Sequence, residues 1–128
     1  MPLSIDELQE MRMVFQGLQT LYQTYLPKAD PLLVNELLVH EQKNYRPDDP
    51  LSTSCYYTVE ILTKDRKEYE RMGEVIHKKT GLFPSIYDNG TRFVLNMDLS
   101  LEMLRGICNS DENIIMVTGH SAGVNQNN

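Results

Sequence analysis

The chain has few cysteines and no long apolar run, and each absence excludes a class of protein. Cys55 and Cys108, its only two cysteines, lie far apart in the sequence. That spacing argues against a disulfide-rich scaffold or a clustered zinc site and favours two reduced thiols. No apolar run approaches the ~20 residues of a membrane span, and the N-terminus lacks the basic and apolar regions of a signal peptide. We therefore expect a cytoplasmic protein without a membrane segment.

Basic charge is also scarce. The 128 residues include 12 Lys and Arg against 18 Asp and Glu, which gives a net charge of −6. An acidic chain is repelled by phosphate backbones and anionic lipid, so this balance argues against nucleic acid or a membrane surface as a partner. The length and a hydrophobic content of 41% predict a single domain, residues 1–128, with a core of its own.

The clearest local signal is the dipeptide Asn89-Gly90. Both central positions of a type I′ turn need positive φ, which these two residues adopt most readily. The turn predicts a hairpin in which Tyr87 lies opposite Arg92, and its first strand, 82–87, contains a proline and is therefore expected at a sheet edge. One face of this hairpin is wholly apolar and is predicted to face the core: Leu82, Pro84, Ile86, Phe93, Leu95 and Met97.

Two helices are predicted upstream, as a helical hairpin over residues 4–44. Ser4 and Glu7 have the spacing of a capping box at the start of the first helix. Asp30 and Pro31 are typical of the first turn of the second helix. The first helix carries a wide apolar stripe at helical spacing: Leu8, Met11, Val14, Phe15, Leu18, Leu21, Tyr22 and Tyr25.

The remaining pattern predicts the order strand, helix, strand, strand, helix, strand over residues 53–118. The strands are predicted at 53–62, on either side of Asn89-Gly90, and at 113–118, the last of these covered on both faces. This order is the βαββαβ pattern of the ferredoxin-like architecture, for which right-handed crossovers give an antiparallel sheet of order 4-1-3-2. The fold class is therefore α+β, and the polar segment 119–128 is predicted to be a mobile tail.

A short motif near the C-terminus, Gly119-His120-Ser121-Ala122-Gly123, resembles the nucleophile elbow of the α/β-hydrolases. In that family the serine is the nucleophile, so Ser121 is the matching position. The family's acid and base should follow the serine, yet no titratable side chain follows Ser121. Ser121 and His120, with His40 as a further candidate, therefore support only an alternative hypothesis, a small hydrolase with a site between subunits.

The outer face of the predicted sheet is the main candidate for binding. We expect it to carry Tyr56, Phe83, Tyr87, Arg92 and Val94 and to be too apolar to remain bare. Either the N-terminal helices or a second copy would cover it, so a homodimer or a protein partner is predicted. Aromatic side chains on such a face also suggest RNA-recognition modules, but the strand from Thr91 lacks their aromatic-glycine motif.

No cofactor or metal site is predicted. His40, His77 and His120 lie on three separate predicted elements, and no two of them have the spacing of a metal-binding pair. No complete set of catalytic residues is present either. The leading hypothesis is therefore a non-catalytic binding or regulatory module of unknown ligand, and catalytic activity is not expected.

Overall fold

A computed structural model describes residues 2–44, 46–49 and 55–121, which contain helices and strands in one mixed arrangement. The strands form a four-stranded antiparallel sheet, which confirms the α+β class. The composition of residues 45–52, with Pro47 and Pro50, predicts a connecting loop. Half of this loop lies outside the described residues, as do the predicted strand start at Thr53 and the last seven residues. The elements are α1 (Ile5–Tyr25), α2 (Pro31–Asn44), β1 (Cys55–Thr63), α3 (Tyr69–Thr80), β2 (Ser85–Tyr87), β3 (Arg92–Leu99), α4 (Leu101–Cys108) and β4 (Ile114–Ser121), with short 3₁₀ turns at Arg66–Glu68 and Asp88–Gly90.

Both N-terminal helices begin where their capping residues predict. The Ser4 hydroxyl accepts a hydrogen bond from the Glu7 amide at 3.1 Å, and the Glu7 carboxylate accepts one from the Ser4 amide at 2.8 Å. These bonds satisfy amide groups that have no partner within the helix. The Asp30 carboxylate caps α2 in a similar way by accepting from the Leu32 amide at 3.1 Å.

The sheet has the order β2-β3-β1-β4. Tyr87 pairs with Arg92, so the predicted register of the hairpin is confirmed. The predicted two-residue turn is wrong, because Asp88, Asn89 and Gly90 all have positive φ, at 55°, 59° and 96°. The wider turn packs against α3, and a Cβ on Gly90 would lie only 2.7 Å from the Cβ of Tyr69.

One face of the sheet is covered by helices. Alternate side chains of β1 and β3 are buried there together with α2, α3 and α4. The shared core consists of Ala29, Leu33, Val34, Leu37, Tyr57, Val59, Ile61, Met72, Ile76, Phe93, Leu95, Met97, Leu99, Leu104, Ile107, Cys108, Ile114 and Val117. The predicted inner face is thus confirmed on β3, whereas Leu82 and Ile86 remain exposed. Strand β2 itself is shorter than predicted.

Helix α2 lies on this same covered face. The hydroxyl of Tyr57, a buried residue of β1, donates to the Glu36 carboxylate of α2 at 2.9 Å. A Cβ on Gly119 of β4 would lie 3.7 Å from Cδ1 of Leu33, which also belongs to α2. The possibility that the N-terminal helices fold over the other face is therefore wrong. In the described residues no helix covers that second face, which we call the open face.

Strand β4 differs from its prediction in length and in exposure. It runs to Ser121, with Gly119 paired to Val59 and Ser121 to Tyr57, so the predicted tail starts three residues too early. It is also not covered on both faces, since Ile115 and Met116 are exposed. Met116 pairs with Leu62 and so lies on the open face, where no described helix covers it. At the outer edge of β4, the Val117 amide donates to the Lys28 carbonyl, and the Val117 carbonyl accepts from the Asp30 amide.

Candidate functional site

The open face brings together four of the five predicted binding residues. Directly paired residues of neighbouring strands point to the same side of a sheet, and Tyr87 pairs with Arg92, Glu60 with Val94 and Tyr56 with Asp98. Tyr56 and Tyr87 are about half exposed there. Phe83 is the exception, because it precedes β2 and lies at the corner of the sheet.

The open face is more polar than expected. Arg92 donates to the Glu60 carboxylate at 2.9 Å and lies 5.3 Å from the centre of the Tyr87 ring. The hydrogen bond to Glu60 raises the pKa of Arg92. On the same face the Thr58 hydroxyl donates to Asn96 at 2.7 Å. These cross-strand contacts give Glu60, Arg92, Thr58 and Asn96 partners within the sheet.

Phe83 forms the rim of a separate groove at the β2 edge. Its side chain is 82% exposed yet stacks on the His77 ring of α3, with ring centres 3.8 Å apart and planes within 10°. Below it lies a cavity of about 310 Å³, which we call the α3–β2 groove: it is lined by Tyr69, Glu70, Gly73, Glu74, Phe83, Pro84 and Ile86. The sequence did not predict this groove; its one sequence signal is Gly73, a glycine inside the helix α3.

Helix α1 carries the largest apolar surface on any described helix. None of its residues is buried. Tyr22 contacts α2, where its hydroxyl donates to the Asn35 side chain at 3.0 Å, while the opposite side of the stripe has no cover in the described residues. Its exposed large apolar side chains are Ile5, Met11, Met13, Val14, Phe15, Leu18, Leu21 and Tyr25.

The structure places His120 and Ser121 next to each other at the end of β4. Neighbouring residues of a strand point to opposite faces: His120 pairs with Thr58 on the open face, and Ser121 pairs with Tyr57 on the covered side. The two side chains therefore do not form a serine–histidine pair within one chain. His40 lies on α2, where its ring nitrogen is 3.1 Å from the Asn44 amide nitrogen. The last two residues of the motif lie outside the described part of the chain.

Titratable groups are perturbed both in the core and in a surface ion pair. Burial raises the pKa of the Cys108 thiol to about 11, so the thiolate needed for nucleophilic chemistry is scarce at neutral pH. Burial, and then the hydrogen bond to Glu36, raises the pKa of Tyr57. The Arg71 guanidinium donates to Asp111 at 2.5 Å and lowers the pKa of that carboxyl. These perturbations accompany structural contacts between elements.

Within residues 2–44, 46–49 and 55–121, no group of three or more His, Cys, Asp and Glu side chains is arranged to hold a metal ion. No helix in the same ranges is both long enough and apolar enough to cross a membrane. Comparison of the chain with protein-family models, with curated proteins and with solved structures gave no match. The function must therefore be argued from the surfaces described above.

Proposed function

We propose that the chain is a non-catalytic binding module of the cytoplasm that acts as a homodimer joined through α1. In this proposal a ferredoxin-like unit follows an N-terminal helical hairpin, and both belong to one domain. The observation that carries the proposal is that α1 exposes eight large apolar side chains and buries no residue. A helix of this kind is stable in water when its apolar stripe packs against another surface.

The apolar stripe of α1 is wide enough to contact two other helices. Tyr22 is on the side of α1 that meets α2. A second line of side chains follows the alternating three- and four-residue spacing of a helix–helix seam and is exposed by 38–76%. We call these residues the α1 seam: Met11, Val14, Leu18, Leu21 and Tyr25. A second copy of the chain offers a matching seam, and twofold symmetry brings the same patch of both copies together.

The charges of α1 favour an antiparallel pair. Asp6, Glu7 and Glu10 all lie near its N-terminus, and its last turn has no basic residue. A parallel pair would bring six carboxylates together at one end. An antiparallel pair separates the two acidic ends by the length of the helix, ~30 Å for 21 residues. Leu18 would then lie on the twofold axis, with Met11 opposite Tyr25 of the partner subunit.

The test is the mass of the protein in solution as a function of concentration. We expect sedimentation equilibrium at micromolar concentration to give about twice the chain mass of 14.8 kDa. Leu18→Glu places two carboxylates at the axis and should give a monomer with an unchanged circular dichroism spectrum. Met13→Glu is the matched control, because Met13 is also exposed on α1 but lies away from the seam, and this variant should remain a dimer. A monomeric wild-type chain would refute the proposal.

The open face is left for a ligand or partner in this proposal, with Tyr56, Tyr87, Arg92 and Val94 on it and Phe83 at its corner. Amide hydrogen exchange separates this from a dimer that uses the sheet. The wild-type chain and the Leu18→Glu monomer should differ in protection along α1 and agree along β1 and β3. Extra protection confined to the strands of the dimer would instead assign the open face to the subunit interface.

The alternative is a small hydrolase with a site between subunits. Its supporting observation is that His120 and Ser121 belong to β4 rather than to a tail. Because they point to opposite faces, the base that activates Ser121 would have to come from the partner subunit. A fluorophosphonate probe labels an activated serine, so labelling that disappears in Ser121→Ala supports this alternative and absence of labelling removes it.

A further inference from the structure

The two edges of the sheet differ in whether another backbone segment pairs with them. Along the outer edge of β4, the backbone of Lys28 and Asp30 forms two hydrogen bonds with Val117, at 2.7 and 2.9 Å. Along β2, no segment of the described residues pairs with the outer edge of Ser85–Tyr87. An uncovered edge strand offers backbone donors and acceptors to another extended chain, and this is how several peptide-binding domains recognise their ligands.

The α3–β2 groove lies beside this free edge. Ile86 pairs with the buried Phe93 and so points to the helical side of the sheet, where it lines the groove together with Tyr69 and Gly73. Past Tyr69 and Ile86 the groove continues into a second cavity of about 480 Å³ that reaches Gly90. A chain added along β2 would therefore place one side chain beside Ile86 and above α3.

Gly73 keeps the floor of the groove open. It lies inside α3, where glycine is unfavourable compared with alanine, and a Cβ at this position would have no atom within 4 Å apart from its chain neighbours and the backbone of its own helix. The packing of the chain itself therefore does not require glycine there. The free space above Gly73 is the space that an incoming apolar side chain would occupy.

The negative charge of the groove favours a basic chain as its ligand over a second copy of this acidic protein. Glu70 and Glu74 line the first cavity, and Asp88, whose carboxylate lies 3.9 Å from Arg92, lines the second. Among the described residues, no lysine, arginine or histidine lines either cavity. A second copy pairing its own β2 here would bring two sets of carboxylates together. A chain with lysine or arginine two residues from an apolar residue, on the same face of its strand, would instead be attracted by the carboxylates, and its apolar side chain would pack against the aromatic rim.

We propose that the α3–β2 groove binds a basic, extended segment of another protein, which adds to the sheet along β2. One apolar side chain of the segment lies above Gly73, and lysine or arginine side chains two residues away, which point to the same face of the added strand, lie beside Glu70 and Glu74. This site is distinct from the α1 seam and does not depend on dimerisation. It supplies the chemistry of a second partner, which the open face does not specify.

The test uses the full chain, labelled with ¹⁵N, and a panel of seven-residue peptides that carry valine, leucine, isoleucine or phenylalanine at position 4, lysine at positions 2 and 6, and threonine elsewhere, so that the apolar and basic side chains share one face of the strand. We expect saturable chemical-shift changes at Tyr69, Gly73, Ile86 and Tyr87 with the best peptides of the panel. The same peptides with glutamate in place of lysine should bind at least tenfold more weakly. If no peptide of the lysine panel gives saturable changes at these residues up to millimolar concentration, the proposal is wrong.

Two variants separate the groove from a non-specific charge effect. Gly73→Leu fills the floor of the groove and should weaken binding at least tenfold. Gly17→Leu is its matched control, because Gly17 also lies inside a helix with free space around it, and it should leave the affinity unchanged. Equal affinity of Gly73→Leu and wild type would overturn the assigned position of the apolar side chain.

Strand addition has its own control. A peptide with methyl groups on alternate backbone nitrogens keeps its side chains but loses the donors that pair with β2. We expect at least a tenfold weaker affinity when the methylated nitrogens are those facing β2, and no loss when they face away. If both methylated peptides bind as tightly as the parent, the groove recognises side chains only and strand addition is refuted.

Discussion

Replacing Tyr57 by phenylalanine should make the stability of the protein less sensitive to alkaline pH. Tyr57 is only 3% exposed, and its hydroxyl connects β1 to the exposed Glu36 of α2 through a hydrogen bond of 2.9 Å. A hydrogen bond to a charged group contributes about 1.5–3 kcal/mol. Because water can solvate Glu36 once the hydroxyl is gone, we expect Tyr57→Phe to lower the free energy of unfolding at pH 7 by about 1 kcal/mol.

The same hydroxyl destabilises the wild-type protein at high pH. Burial raises the pKa of Tyr57 above its ordinary value of 10.0, so the unfolded chain loses this proton at a lower pH than the folded chain. The stability that depends on the proton is fully present below pH 10 and is lost as the pH rises through the folded pKa. At pH 11 the loss is about 1.4 kcal/mol in the wild type and absent in Tyr57→Phe.

The assay is urea unfolding at pH 7 and pH 11 under reducing conditions, followed by far-ultraviolet circular dichroism. All other titrating groups are shared, so they cancel in the difference between the two proteins. The wild type should be more stable than Tyr57→Phe at pH 7 and equal or less stable at pH 11. Tyr56→Phe is the control, because Tyr56 is exposed on the opposite face. A stability difference that does not change with pH would refute the reasoning.

Three further predictions concern the core, the glycines and the thiols. Leu104→Ala removes a fully buried side chain of α4 and should lower the free energy of unfolding in urea by about 2–5 kcal/mol. Gly73→Ala should raise it by about 0.5–1 kcal/mol, whereas Gly90→Ala should lower the melting temperature because Gly90 has a φ of 96° and no room for a Cβ. In a Cys55→Ser background, Cys108, which is buried with a pKa of about 11, should react with maleimide at pH 7 only at the rate of unfolding; fast labelling of the folded protein would contradict its burial.

Local features of the fold could be predicted from the sequence because their causes lie within a few residues. The capping box of Ser4 and Glu7 depends on atoms three residues apart. The register of the hairpin depends on alternating apolar residues around Asn89-Gly90, and a one-residue slip would turn its buried face to water. The start of α2 at Pro31 follows from the Asp-Pro pair. In each case the competing local structure is strongly unfavourable.

Features that depend on tertiary contacts could not be predicted in this way. The apolar pattern of α2 shows that one side is buried, but which face of the sheet it covers depends on contacts such as Tyr57 with Glu36. Strand β4 continues to Ser121 because β1 offers it a partner, although its last residues have the composition of a tail. The polarity of the open face depends on cross-strand pairs such as Glu60 with Arg92.

The groove was missed for a similar reason. Ile86 was predicted to face the core, because it belongs to the apolar face of the hairpin. In the structure β2 is the outermost strand, and the described residues include no element beyond it. Periodicity predicts which side chains avoid water, but it does not show whether the chain itself or another molecule covers them.

The backbone bonds of Lys28 and Asp30 with Val117 have a consequence for how the protein can be divided. They join the segment between α1 and α2 to the last strand, and α2 adds Leu33, Val34 and Leu37 to the common core. A fragment that begins at Cys55 would keep every strand yet lose the cover of one edge and part of one face. We therefore expect such a fragment to aggregate, and the whole chain to unfold in a single transition. Partner mapping on this protein thus requires point substitutions rather than truncation.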